Sequence, residues 1–265
     1  MKSISFIIVI VLLYGNIMAQ WSNNPAENLR ITNSDNEKSS TKIATCSNGN
    51  YYVGYFELSE NTYTVRLQLL NPEGEMLWGD NGIEVSNNPT MTYVTDWDMS
   101  VDSENNAILT WQDVRSGDNT NVVAYKISSE GTFVWGGDGI LLSDTENFDV
   151  APKVAITGSN DAVIVWQSNY VIIMQKISAA GSKMWGDWGI TLSSTNRYTW
   201  PQIMAVGDDD IILKYGIDFG LSGSIVRAGE YQNWTHERLD NRFVDGWDTQ
   251  TPSKFGVNLL LDVKQ

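Results

Sequence analysis

The chain has 265 residues, which is enough for one large domain with its own core or for two small ones. Its formal net charge of −15 and isoelectric point near 4.3 argue against nucleic acid and anionic membrane surfaces as partners, because phosphate binding requires clustered lysines and arginines. Cys46 is the only cysteine, so the chain forms no internal disulfide bond and its stability has to come from packing.

The first 20 residues have the composition of a secretory signal peptide. Lys2 precedes an apolar run over residues 4–13, and small and polar residues follow up to a cleavage point near Ala19 or Gln20. A membrane anchor is the alternative, but the apolar run is short for a bilayer. We therefore expect residues 1–20 to be removed and the mature protein to be secreted or displayed at the cell surface.

Two aromatic markers recur along the rest of the chain. The first, with spacings of 57 and 50 residues, consists of Trp78, Trp135 and Trp185. The second, with spacings of 56, 55 and 49 residues, consists of Tyr55, Trp111, Trp166 and Tyr215. Because both markers keep the same phase, the sequence indicates tandem duplication of one unit.

Each unit has the pattern of four short β-strands. In the third unit the runs "PKVAIT", "AVIVWQ", "YVIIMQKI" and "ITLS" are separated by turn residues such as "GSND" and "SAAG". A unit of this length is short for a β-sandwich of about 100 residues, and it fits one blade of a β-propeller. We predict an all-β fold, a propeller of four to five four-stranded antiparallel blades over residues 21–231, with an irregular tail or a partial further blade at 232–265.

Two segments leave the closure of the ring open. The run "NLRITN" near the N-terminus resembles an outer strand that could complete the last blade. The run "TPSKFGVNLLLDV" near the C-terminus has the pattern of a new inner strand instead. The sequence is thus compatible with a small closed ring and with an open set of blades.

The segment "SSEGTFVWGGDGILLS" at residues 128–143, with counterparts at 71–86 and 178–193, contains the first marker. Gly131 is predicted to lie at a tight turn that favours a positive φ. A cofactor loop is disfavoured, because no helix follows the glycines to hold a phosphate, and we expect no cofactor. An indole buries a large apolar area, so we assign the docking of neighbouring blades to Trp78, Trp135 and Trp185.

These residues resemble two groups of known repeats. A turn glycine followed four residues later by tryptophan is similar to the blade motif of quinoprotein-like propellers. The whole unit, with Trp111, Asp113, Arg115, "YKI" and Trp135 in the second copy, resembles the propeller repeats of secreted and cell-surface proteins of Bacteroidetes-type bacteria. This resemblance covers roughly residues 41–231 and implies an exported propeller.

In a propeller of this topology, the loops between fourth and first strands share one rim with those between second and third strands, and propellers usually bind ligands there. The candidate ligand-binding residues in these loops are Trp97, Asp98, Asp113, Arg115, Tyr198 and Trp200. Aromatic rings beside carboxylates suit either a carbohydrate or a protein partner. Two alternatives stay open: Trp97 and Trp200 could close the top of the core, and Asp113 with Arg115 could be an ion pair that orders its loop.

We predict a non-catalytic exported propeller that presents a binding or adhesion surface for a protein or a glycan. The alternative is a carbohydrate-active enzyme, or a degenerate relative, because two carboxylates on the rim that carries these loops would suffice for glycoside hydrolysis. The only histidine, His236, lies in the tail, which disfavours a histidine-dependent triad or metal centre. Calcium would accept the oxygens of "TDWD" or "GDDD", but neither segment matches a full binding loop, and we expect no metal.

Overall fold

The structure, a computed structural model, describes residues 26, 28–90, 96–117, 119–193, 195, 197–206, 209–217, 227–228 and 257–262. These residues form sixteen β-strands, and none of them belongs to a helix. Within these ranges there is accordingly no helix long and apolar enough to cross a membrane. The predicted signal peptide, residues 1–20, lies outside the described residues.

The first twelve strands form three antiparallel sheets of four strands each, in chain order, as the repeat predicts. Blade 1 consists of β1 (Lys38–Thr45), β2 (Tyr51–Ser59), β3 (Thr62–Leu70) and β4 (Ile83–Thr90). Blade 2 consists of β5 (Asp98–Val101), β6 (Ala107–Asp113), β7 (Asn121–Ile127) and β8 (Ile140–Leu141). Blade 3 consists of β9 (Asp149–Ile156), β10 (Ala162–Ser168), β11 (Val171–Ile177) and β12 (Ile190–Leu192).

The fourth sheet departs from this order at its third strand. Blade 4 begins with the antiparallel pair β13 (Tyr198–Val206) and β14 (Asp210–Ile217). Two further strands, β15 (Arg227–Ala228) and β16 (Val257–Asp262), both pair with β14. The first pairs with residues 216–217 of β14, and the second with residues 210–215. Residues 257–262, which belong to the predicted tail, therefore join the fourth sheet.

The blades contact one another in succession through their first strands. β1 contacts β5, β5 contacts β9, and β9 contacts β13, so these four strands are the inner strands. Four-stranded antiparallel sheets arranged side by side with their first strands innermost are the blades of a β-propeller. We call the ends that carry the loops between blades the upper rim and the opposite ends the lower rim.

Each pair of neighbouring blades encloses an apolar cluster, and the alternation of side chains along the strands explains why. On β6, Leu109 and Trp111 face blade 1, whereas Ile108 lies in the cluster between blades 2 and 3. On β10, Ile164 faces blade 2 and Val163 lies in the cluster with blade 4. Strands covered on both faces read as continuous apolar runs such as "AILTW" rather than as alternating ones.

The connection between the third and fourth strands of a blade, here called the seam, holds successive blades together at the lower rim. The Trp78 indole N–H donates to Ser129 O of the next seam at 3.0 Å, and the Trp135 indole N–H donates to Ala179 O at 3.2 Å. Each indole also lies on the turn glycine of the next seam, since a Cβ on Gly181 would stand 2.8 Å from Trp135 Cδ1. These turn glycines need a positive φ, which is +94° at Gly181.

The lower rim carries a second link between blades, in turns whose sequences look generic. The Ser47 amide donates to Asn105 Oδ1 of blade 2 at 2.7 Å, and the Ser103 amide donates to Asn160 Oδ1 of blade 3 at 3.0 Å. Both asparagines have a positive φ, of 65° and 63°, which asparagine tolerates better than most residues. The corresponding residue of blade 1 is Gly49, which has no side chain to offer.

The run "NLRITN" does not form an outer strand. Its backbone binds the seam of blade 1 instead, where the Asn33 amide donates to Asp80 O at 2.8 Å. The Asn81 side-chain oxygen accepts from the Thr32 hydroxyl at 3.1 Å and from the Asn33 amide at 3.1 Å. In the structure these residues therefore cover the outer end of the first blade and complete no sheet.

Replacing Gly181 by alanine tests the contact between seam tryptophan and turn glycine, with Gly136→Ala as the matched control. Both glycines have a φ near +90°, but a Cβ at Gly136 meets no atom within 4 Å. The positive φ should cost each variant about 1–2 kcal/mol of unfolding free energy. Gly181→Ala should lose roughly 1–3 kcal/mol more, because its Cβ displaces the Trp135 ring. Urea denaturation measures both losses, and equal losses would contradict the docking role.

Candidate functional site

The inner strands of blades 1, 3 and 4 share a backbone irregularity near the upper rim. Each has a break in register with the second strand and a residue of positive φ: 53° at Ser40, 52° at Ala151 and 53° at Trp200. Asp96 occupies this position of the repeat in blade 2, since the spacings are again 56, 55 and 49 residues. A bulge that recurs at one place re-aims the side chains around it and is typical of a designed feature rather than a defect.

The side chains at and just after these bulges converge across three blades. The Lys42 ammonium nitrogen lies 3.7 Å from Asp96 Oδ1 and 4.0 Å from Asp98 Oδ1. The Lys153 ammonium binds the other oxygen of the Asp96 carboxylate. The Val154 amide donates to Asp98 Oδ2 at 3.1 Å. We call Lys42, Asp96, Asp98 and Lys153 the inner-strand cluster.

The four members of the cluster differ in their access to solvent. The Asp96 side chain is 39% exposed, whereas the Lys153 side chain is only 7% exposed. Burial raises the pKa of Asp98, although the Val154 amide and the ammonium groups of Lys153 and Lys42 oppose that rise. The cluster thus presents two ammonium groups, the Asp96 carboxylate and the less exposed Asp98 carboxyl, which is 24% exposed and has a raised pKa.

Trp97, a predicted ligand-binding residue, lies in the core between blades 1 and 2 with 2% exposure. Its indole N–H donates to Ser40 O at 2.6 Å, and its ring meets Phe56 edge-on at 5.6 Å. A Cβ on Gly54 would stand 2.6 Å from the ring, so the strand is shaped around the indole. This geometry corresponds to the alternative reading of Trp97, in which it closes the top of the core.

Trp200 and Trp97 point to opposite faces of their strands. The repeat aligns Trp200 with Asp96 and places Trp97 level with Pro201, one residue further along. A shift of one residue turns a side chain to the other face of a strand. Trp200 is accordingly 59% exposed, while its backbone amide donates to Gln167 Oε1 at 3.1 Å.

Tyr198, two residues before Trp200, is buried between blades 3 and 4. Its ring meets that of Tyr215 at 5.0 Å with an angle of 64° between the planes. Tyr215 belongs to the second aromatic marker, so Tyr198 packs on a repeated element of the core. The structure leaves this predicted site residue 4% exposed.

Asp113 and Arg115 form a bidentate ion pair, with Arg115 Nη2 and Nε at 2.7 and 2.9 Å from Asp113 Oδ2. The Asp113 side chain is fully buried. Burial by itself would lower the pKa of Arg115, but the bonds to Asp113 reverse the effect and raise it. Arg115 also donates to Asp138 O at 2.7 Å and to the Tyr125 hydroxyl at 3.1 Å, so the pair ties its loop to the seam of blade 2.

Lys42 and Lys153 are not among the residues predicted from sequence, although the sequence carries a signal for both. They occupy the repeat position of Asp98, at spacings of 56 and 55 residues. Of the six predicted ligand-binding residues, only Asp98 joins the cluster, and Trp200 lies at the same level of the next blade. Within the described part of the chain, no group of three or more histidines, cysteines or acidic residues could hold a metal ion.

Comparison with known proteins gives no family, because no family model and no curated sequence match the chain. Among solved structures it is similar to an endo-arabinase from Bacteroides thetaiotaomicron VPI-5482, with a TM-score of 0.39 and 13% identity over 78% of this chain and 80% of that one. It is also similar to an endo-1,5-alpha-L-arabinanase from Thermotoga petrophila RKU-1, with a TM-score of 0.43 and 13% identity over 84% of this chain and 68% of that one.

A polysaccharide lyase gives a TM-score of 0.41 and 10% identity over 89% of this chain and 62% of that one. All three TM-scores are below 0.5, so these likenesses assign no activity to the chain. The propeller fold rests on the four sheets and their inner strands.

Two acidic residues at the two ends of inner strand β5, Asp98 in the strand and Asp102 just after it, should affect stability with opposite pH dependence. The pKa of Asp98 is raised by burial, so its contribution to stability falls as pH rises from the unfolded value of about 3.9 towards the folded pKa. Burial alone would also raise the pKa of Asp102, but hydrogen bonds from Lys126 and Asn106 lower it. The contribution of Asp102 to stability is therefore lost as pH falls from the unfolded value of about 3.9 towards the lower folded pKa.

Denaturant unfolding of Asp98→Asn and Asp102→Asn between pH 3 and pH 7 measures this difference. Relative to the wild type, Asp98→Asn should gain stability as pH rises, whereas Asp102→Asn should lose it. Parallel curves for the two variants would contradict the opposite pKa shifts of Asp98 and Asp102.

Proposed function

We propose that the chain is an exported, non-catalytic propeller that binds a glycan at the inner-strand cluster. The observation that carries the proposal is the convergence of two lysines and two aspartates from three successive blades within 4.0 Å. Export is supported by the signal-like residues 1–20 and by the resemblance of the repeats to quinoprotein-like blades of secreted and cell-surface proteins.

A sugar suits the chemistry of this surface better than a large apolar partner does. The cluster combines charged donors and acceptors, whose hydrogen bonds to hydroxyl groups are stronger than those between neutral groups. Trp200 offers an exposed aromatic face at the same level of blade 4. A rigid aromatic ring beside a few fixed polar groups is the usual composition of a small-ligand site.

Binding without catalysis is favoured because both carboxylates are already engaged. The Asp96 carboxylate is bound by two ammonium groups, and the Asp98 carboxyl by an ammonium group and a backbone amide. A glycosidase needs one carboxyl that protonates the leaving group and another that is free to act as base or nucleophile. These contacts favour positioning of a ligand over attack on it.

One observation favours the second candidate, a carbohydrate-active enzyme. Burial raises the pKa of Asp98, and a raised pKa is what a general acid at neutral pH requires. Asp96 stands two residues away as the second carboxylate. In this reading Asp98 would protonate the glycosidic oxygen and Asp96 would act from the other side of the bond.

Two exposed tryptophans allow a matched test of glycan binding. Trp200 is 59% exposed on the inner strand of blade 4, whereas Trp188 is 63% exposed on the seam of blade 3, just before the outer strand. Trp200→Ala should weaken binding on a glycan array by about tenfold, which corresponds to roughly 1.4 kcal/mol, and Trp188→Ala should leave it unchanged. Binding that survives Trp200→Ala or disappears with Trp188→Ala would place the site elsewhere.

Hydrolysis assays on the same glycans separate the two candidates. A non-catalytic protein should release no reducing sugar, and neither Asp98→Asn nor the exposed-seam control Asp187→Asn should change that result. Reducing-sugar release that Asp98→Asn abolishes and Asp187→Asn preserves would establish the enzyme instead.

A further inference from the structure

We propose that the glycan bound at the inner-strand cluster carries carboxylate groups, as uronic acids do, and that the Asp96 carboxylate occupies the place of the ligand carboxylate. This inference rests on the proposed function and specifies its ligand class. Two lysines of the cluster, here called the cradle, already hold the protein's own Asp96 carboxylate between them, while Asp98 pairs with Lys42 from the side.

The contacts of Asp96 show what the cradle accepts. Lys42, from blade 1, lies 3.7 Å from one carboxylate oxygen, and Lys153, from blade 3, binds the other. Two ammonium groups that approach a planar anion from opposite sides hold both of its oxygens. A ligand carboxylate placed between the same two nitrogens would find the same contacts.

Asp96 can leave the cradle more easily than the other members can. It is the most exposed member, at 39%, whereas Asp98 is fixed by the Val154 amide. Among the described residues, the ion pairs of Asp96 are those with the two lysines. A rotation of its side chain would therefore free the ammonium groups without disturbing the inner strands.

Charge balance explains why a carboxylated ligand fits an acidic protein. The protein has a net charge of −15, which disfavours polyanions at long range. In the cradle, however, a ligand carboxylate replaces a protein carboxylate, so the two ammonium groups stay neutralised throughout. At physiological ionic strength the screening length is about 8 Å, so these local contacts decide the outcome once the ligand has docked.

Calorimetry with oligogalacturonate, alginate oligosaccharides and their carboxyl-reduced counterparts tests the inference, because each pair differs in the carboxyl group alone. We expect the carboxylated form to bind about tenfold more tightly than the reduced form. Asp96→Asn should raise the affinity for the carboxylated form by about threefold to tenfold, since it removes the competing charge and keeps the volume.

The lysine variants should act in the opposite direction. Lys42→Met should abolish the preference for the carboxylated form, and Lys153→Met should do the same where that more buried variant folds. Lys183→Met is the matched control, because the Lys183 ammonium binds Asp187 O on the seam of blade 3. Its preference should equal that of the wild type.

The outcomes separate this inference from the proposed function. Carboxyl-reduced oligosaccharides that bind as tightly as the acidic ones would overturn the ligand class and leave glycan binding standing. Sulfated oligosaccharides that bind more tightly than uronates with the same dependence on Lys42 would also overturn it. The absence of binding to every oligosaccharide would refute both proposals. A gain of affinity in Asp96→Asn would support the cradle, because misfolding cannot produce a gain. An unchanged affinity in that variant would contradict it.

Discussion

The contact between a seam tryptophan and the turn glycine of the next blade is the interaction on which the rest of the structure depends. A single four-stranded sheet leaves its faces uncovered and is stable only when neighbours bury them. Trp78 and Trp135 fix the distance and angle between blades, through an indole on a glycine and one hydrogen bond to the next turn. Because the same contact recurs with the period of the repeat, blades 1 and 2 meet in the same way as blades 2 and 3, and their inner strands are brought side by side.

The regular contacts between blades at the lower rim align the inner strands, and this alignment brings together side chains that differ from blade to blade at the upper rim. Inner strands in register from blade to blade place equivalent residues at one level, and the bulges of blades 1, 3 and 4 re-aim the side chains beside them. The equivalent residues at this level are Ser40, Asp96, Ala151 and Trp200. Three of these four positions share the same backbone conformation while the side chain differs at each, so neighbouring repeats together can carry a site that no single repeat contains.

The sequence predicts the repeated part well and the converging part poorly, for a physical reason. Strand runs such as "AILTWQD" and turn glycines such as Gly131 are set by local preferences, and the observed strands and the positive φ follow them. The inner-strand cluster depends on contacts between residues more than 50 positions apart. Trp97 is buried and Trp200 is exposed because their repeat positions differ by one residue, and a shift of one residue turns a side chain to the other face of the strand. Period alone places both near the upper rim and cannot tell which one is buried.

The distribution of paired charges points to the upper rim independently of any ligand. At the lower rim, Lys126 lies 2.9 Å from Asp102 and Lys176 lies 3.1 Å from Asp161, and the two lysines are nearly inaccessible. Buried pairs of this kind have to be fully satisfied, because breaking one leaves a charge stranded in a medium of low dielectric constant. The inner-strand cluster has the same residue types, but its Asp96 carboxylate is open to solvent on one side. An exchange of partners costs little where a charge is partly solvated, so the lysine–aspartate pairs that are locked at the lower rim are open to exchange at the upper rim.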